Sequence, residues 1–233
     1  MNLKCAGGPA ERPNSILDLI DDKWRGRVAI AKPLAGTTAT HAACLFVAWG
    51  PERAQAFFRQ VKQNCRVLAG NRHVARAVAQ GQCAFGLTDT DDALAELEAG
   101  MPVAIVFPDQ TPRNGAPLGA LVIPNTVAVV HGAPHRREAE QLVEFLLSPQ
   151  VEESLAQGPS AQLPLHSRAK ASSRVAPNWR PPTDSPSDQQ QESAAESTSP
   201  DKPLVAMSVD FAAAAQAWDA AAKFLREEFA TAE

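Results

Sequence analysis

A chain of 233 residues with 45% apolar side chains is long enough for one large or two small domains built on buried cores. Its net charge of −4 and the lack of any basic stripe interleaved with aromatics exclude a general nucleic-acid binder. No run of 18 apolar residues is present, which excludes a membrane-spanning helix in this sequence.

The opening "MNLKCAGGPAERPNS" carries no apolar core of the kind a signal peptide needs, and reads as a lead-in over residues 1–13. "RVAIA" (27–31) is the first strand; "KPLAGTT" then leads into the apolar helix "ATHAACLFVAWG", which Gly50 stops. Pro51 suits the first position of the next helix, "PERAQAFFRQVKQN". "CRVLA" (65–69) is a second strand, followed by helix "RHVARAVAQ" and Gly81. "CAFGLTD" (83–89) is a third, followed by helix "DDALAELEA" and Gly100, and "PVAIVFPD" (102–109) is a fourth. Alternation of this kind predicts an α/β lobe over 14–110 with a parallel-rich sheet covered on both faces. Of the four cysteines, Cys65 and Cys83 each open an apolar run. They are expected on neighbouring strands as buried thiols, a reading preferred to a disulfide or to metal ligation because no C-x-x-C spacing occurs.

Beyond the connector "QTPRNGAPLG" the pattern changes. "ALVIPNTVAVVHG" predicts one or two strands, and "APHRREAEQLVEFLLSPQVEESLAQG" a helix pair broken at Ser148-Pro149, together a partial second lobe over 118–166. Residues 167–203 are rich in Ser, Pro, Gln and charge, and their composition predicts a disordered insertion. The C-terminal segment 204–233 contains "DFAAAAQAWDAAAKFLREEF", an amphipathic helix expected to dock through Phe211, Ala214, Ala215, Trp218, Ala222, Leu225 and Phe229.

Three strand-to-helix joints carry polar chemistry. In "KPLAGTTATH", Thr37 and Thr38 stand where helix-terminal N–H groups attract an oxyanion, or where one of them caps the helix. Asn71 in "AGNRHVARAVAQG" is a ligand contact or an N-cap, and the cap is the favoured reading. "GLTDTDDA" (86–93) sets Asp89, Asp91 and Asp92 at a helix start. They favour the helix dipole, worth about 0.3–1 kcal/mol each, or they converge on a hard cation or an ammonium group. All three joints lie at the carboxyl ends of parallel strands, where open α/β sheets bind ligands. His41 reads as an ordinary helix residue. No nucleophile elbow, HExxH, Walker loop or dinucleotide fingerprint occurs, so nothing in the sequence points to an enzyme.

Several stretches in order, "KWRGRVAIAKPLAGTTATHAA", "GNRHVARAVAQGQCAFGLTDTDDA", "VFPDQ" and "LVIPNTVAVVHGAPHRREAEQLVEFLLSPQVEESLA", resemble the type 2 periplasmic substrate-binding proteins of ABC importers, nearest their ferric-iron-binding branch. The resemblance runs over roughly 11–166 and returns at the C-terminal helix. It implies a periplasmic-binding-protein type 2-like α/β fold, a solute held in a cleft between lobes, an extracytoplasmic location and ABC permease subunits as partners. It also implies a chain that starts where the backbone enters the second lobe, as in a fragment, a split gene or a mis-called start. Iron-binding relatives carry adjacent tyrosines where Asp91 and Asp92 stand here, and this chain has no tyrosine. On this resemblance Asp89, Asp91 and Asp92 are the candidate ligands of Fe(III) or another hard cation, with Thr37, Thr38 and Asn71 as polar or anion contacts. A small phosphonate solute is the other cargo it allows. The rival function is a degenerate lobe that serves as a non-transporting interaction or sensor module.

Overall fold

A computed structural model describes residues 1–8, 11–112, 117–179 and 203–230. The greater part of the predicted low-complexity insertion, 180–202, lies outside the described residues, as do 113–116 of the connector. The chain divides into two compact units, Met1–Val122 with Val205–Glu233, and Ile123–Leu204.

In the first unit the sheet is three-stranded and wholly parallel: β1 (Val28–Ala31), β2 (Cys65–Leu68) and β3 (Phe85–Leu87) lie in the order β2-β1-β3. Val28 pairs with Cys65 on one side and with Phe85 on the other. The central strand is buried at all four positions, as its unbroken apolar run requires when helices cover both faces. Helices α1 (Gly36–Trp49) and α2 (Pro51–Asn64) link β1 to β2, α3 (Asn71–Ala79) links β2 to β3, and α4 (Thr90–Glu98) follows β3. Gly86 is required where α3 crosses the sheet, because a Cβ there would stand 2.4 Å from Val74 and 2.8 Å from the Ala29 carbonyl oxygen.

The larger core gathers Ile30, Leu45, Phe46, Phe57, Phe58 and Val61 with Phe224, Leu225 and Phe229. The last three come from α7 (Phe211–Phe229), started by the Asp210 carboxylate, which accepts the Ala213 N–H at 2.9 Å. The helix docks, but with a rotated face. Ala214, Ala221, Phe224, Leu225 and Phe229 are buried, whereas Phe211, Ala215 and Trp218 are exposed and Ala222 is half-buried. The neighbouring α1 and α2 select that face, and the spacing alone does not distinguish it from one shifted by a residue.

Two strand expectations fail. Residues 102–109 form no strand; Val103 makes one isolated antiparallel bridge, to Asn2, while the Leu3 N–H donates to the Pro102 carbonyl and Ala104 N–H to the Met1 carbonyl. The N-terminal residues thus pair with the segment that the apolar pattern assigned to the sheet. "ALVIPNTVAVVHG" likewise forms no strand, only a parallel bridge from Ala120 to Ala206. A short apolar run is a strand only when a neighbour is there to pair with it. Cys65 and Cys83 are free thiols, Cys65 half-buried at the start of β2 and Cys83 buried two residues before β3; β1 lies between these two strands, correcting the expected adjacency. Burial pushes the Cys65 thiol up to about 12, and Cys83 is raised by the same cause.

The second unit contains α5 (Arg136–Leu146) and α6 (Pro149–Gln157), broken at Ser148-Pro149 as expected. Residues 167–179 are not the disordered tract their composition suggests. Glu153 accepts the Lys170 N–H at 2.7 Å, the Ser173 hydroxyl donates to the Ala161 carbonyl at 2.6 Å, and buried Trp179 donates to the Pro164 carbonyl at 2.7 Å.

Candidate functional site

The three joints meet at the carboxyl edge of the sheet because β1, β2 and β3 are parallel and adjacent. Each ends at a helix start, α1, α3 and α4 respectively, and none of these helices has a side-chain cap at its N-terminus. The polar residues there are turned toward one another instead. The Thr37 hydroxyl donates to the Asp89 carboxylate, 2.8 Å from Oδ1 and 3.1 Å from Oδ2. Asn71 Nδ2 donates to Asp89 Oδ2 at 2.6 Å and to the Thr37 oxygen at 2.8 Å. The Thr38 hydroxyl reaches Asn71 Oδ1 at 3.4 Å. Thr37, Thr38, Asn71 and Asp89 are therefore one network, and the capping role favoured for Asn71 is corrected. Gly70 is the N-cap residue, and Asn71 is the first residue of α3 with its amide spent on the other two joints.

Asp91 and Asp92 occupy the first turn of α4, Asp91 exposed and Asp92 half-buried. One oxygen from each of Asp89, Asp91 and Asp92 lies within 4.8 Å of the others. Burial raises the Asp89 carboxyl above its ordinary value, the hydrogen bonds from Thr37 and Asn71 oppose that rise, and the neighbouring charges of Asp91 and Asp92 add to it. Ionising Asp89 thus costs folded-state stability. That cost is absent below the ordinary carboxylate range and complete above the raised folded value.

Two further residues belong to the arrangement. The Thr88 hydroxyl donates to the Asn71 carbonyl at 2.9 Å, tying α3 to β3, and Arg72 reaches Asp92 at 3.5 Å while largely exposed. Arg72 directly follows Asn71, so its arrival at the site was legible once Asn71 was placed; Thr88 carries no comparable signal. One turn along α1, His41 lines a small apolar cavity with Thr38, Ile16, Ile30, Leu45, Phe57, Phe58 and Leu87. Burial lowers its pKa to about 4, so it is neutral at pH 7. This departs from the ordinary helix residue read from the sequence.

Polar residues from three joints at the carboxyl edge of a parallel sheet stand where open α/β folds bind their ligands. The family model of the bacterial extracellular solute-binding proteins matches residues 5–158, and the chain belongs to that family. It is 32% identical to iron uptake protein A1 of Synechocystis over 150 residues, 60% of this chain and 40% of that protein. In fold it is similar to a Bordetella ferric binding protein (TM-score 0.66, 21% identity, 93% of this chain and 63% of the other). It is also similar to the periplasmic binding protein AfuA of Actinobacillus pleuropneumoniae, solved with fructose-6-phosphate (TM-score 0.65, 22% identity, 94% of this chain and 60% of the other). The chain thus spans between two fifths and two thirds of the length of these relatives. Members of the family bind solutes and are not enzymes. Among the described residues no helix is long and apolar enough to cross a membrane.

Proposed function

We propose that the protein is the solute-binding component of an ABC importer, working outside the cytoplasm with permease subunits as partners. Its cargo is a hard metal cation such as Fe(III). Asp89, Asp91 and Asp92 supply carboxylate oxygens to that cargo; Thr37 and Asn71 hold Asp89 in place, and Thr38 bonds to Asn71. One observation carries the reading: three carboxylates share a space of 4.8 Å, and one of them is immobilised by donors from two separate joints. Carboxylate oxygens suit hard cations, and with no tyrosine in the chain they are its anionic oxygen ligands. The uncapped helix starts favour negative charge, and Asp89 already stands there, which supports a cation over an oxyanion as the next arrival.

A second reading has the Thr37 and Thr38 hydroxyls contact an amine-bearing phosphonate whose ammonium group faces the aspartates; the sugar phosphate bound by AfuA supports keeping it.

The test is thermal unfolding of the chelator-stripped chain with Fe(III)-citrate, Mn²⁺, Ca²⁺, phosphate and 2-aminoethylphosphonate. A ligand at one hundred times its Kd adds about 2.7 kcal/mol of stability. The expected result is a raised midpoint with Fe(III)-citrate that disappears in the Asp91→Ala/Asp92→Ala double variant. A shift with the phosphonate alone selects the second reading. No shift with any ligand removes the transport reading and leaves a non-transporting interaction module.

A further inference from the structure

The stretch "VFPDQ" (106–110) is neither a strand nor part of the candidate site, yet its last two residues are the most heavily tied of the segment. Asp109 is buried with a left-handed backbone (φ 57°), its N–H donates to the Asn14 carbonyl at 2.7 Å, and its carboxylate accepts the Ile16 N–H at 3.1 Å. Its carbonyl accepts the Gly119 N–H at 3.1 Å. The Gln110 side chain copies a strand edge. Its Nε2 donates to the Val205 carbonyl at 2.9 Å and to the Pro108 carbonyl at 3.0 Å, while its Oε1 accepts the Val205 N–H at 2.8 Å.

Val205 is the first residue of the first unit after the chain returns from the second, and Val122 is the last before it leaves. The two connections are paired just inside that boundary. The Ala120 N–H donates to the Val205 carbonyl at 2.9 Å and the Met207 N–H to the Ala120 carbonyl at 2.8 Å. Gly119 (φ +81°) admits this approach because a Cβ would stand 2.6 Å from the Ala206 backbone. Segments 109–110 and 119–120 and the remote 205–207 are thereby joined into one block that both connections leave together.

We propose that Gln110 is the pin of this block. Its amide holds Val205 as a neighbouring strand would and keeps the outgoing and returning connections in register up to Val122 and Val205. The proposal stands apart from the identity of the cargo, since no residue of the block belongs to the candidate site.

Residue-resolved amide hydrogen exchange by NMR on the full chain tests it, with Gln110→Ala and Gln110→Met beside the native protein. Methionine keeps the length of the side chain and removes the pairing. In the native protein the amides of Ala120, Val205 and Met207 should exchange at least tenfold more slowly than those of Ile123 and Leu204. Both variants should accelerate the first three by tenfold or more and leave α1 amides such as Leu45 within twofold. Three outcomes overturn the proposal: equal protection on both sides of the boundary, unchanged protection of Val205 in the methionine variant, or a matching acceleration in α1, which would make Gln110 a general stabiliser.

Discussion

The two units are held by different physics. In the first, a parallel sheet with a fully buried central strand packs with α7 around aromatic and aliphatic side chains such as Phe224, Leu225 and Phe229, all under a tenth exposed. In the second, α5 has no buried residue; Leu142, Phe145 and Leu147 are each more than half exposed. The second unit relies instead on side chains bonded to backbone: Glu152 accepts the Leu165 and His166 N–H groups at 2.8 and 2.6 Å, beside the contacts of Glu153, Ser173 and Trp179. Burial of apolar area is the larger and more cooperative term, whereas a typical hydrogen bond adds only about 1 kcal/mol net. The candidate site therefore sits on the stiffer unit, as a preorganised network needs.

Mutations can break this contrast. The largest effect is expected for Leu225→Ala, which empties a fully buried position between α7 and the sheet-covering helices and should cost about 3 kcal/mol, read as a lowered denaturation midpoint with unchanged slope. A loss under about 1 kcal/mol would show that α7 is only loosely docked.

Next comes the acid response of His41. Its folded pKa, about 4, lies below the 6.5 of an exposed histidine, so the unfolded chain takes up the proton first. Its contribution to stability is complete above pH 6.5 and is lost as pH falls toward 4. The expected loss is up to about 2 kcal/mol, less than the full shift implies because the ring is only half-buried by surface exposure. His41→Leu should flatten that part of the stability–pH curve. An unaltered curve would mean that the ring finds a proton acceptor on ionising.

The smallest effect should come from the second unit. Phe145→Ser on the open face of α5 should change stability by no more than about 0.5 kcal/mol while reducing self-association in light scattering. A cost of several kcal/mol would show that the face is covered in solution and would sharpen the contrast into a question of what covers it.

Much of the first unit was legible in the sequence. Apolar runs bounded by Gly50, Pro51, Gly81 and Gly100 place β1, β2, β3 and helices α1 to α4 to within a few residues, because local propensity and punctuation act over short distances. That the six candidate residues gather at one place was legible for the same reason: parallel strands bring their carboxyl ends to one edge. Hidden were the fates of 102–109 and 118–130, apolar runs whose pairing depends on segments remote in sequence. The pinning role of Gln110, 95 positions from Val205, was hidden likewise.

The sequence by itself determined which segments are helix and strand in the first unit, the carboxylate and hydroxyl chemistry available at the joints, and the absence of phenolate. Only the tertiary structure decided that Thr37, Asn71 and Asp89 bind one another rather than cap their own helices. A side chain near a helix start has two sets of partners within reach, its own backbone and whatever the fold brings opposite. The strand order β2-β1-β3 brought each joint the other two.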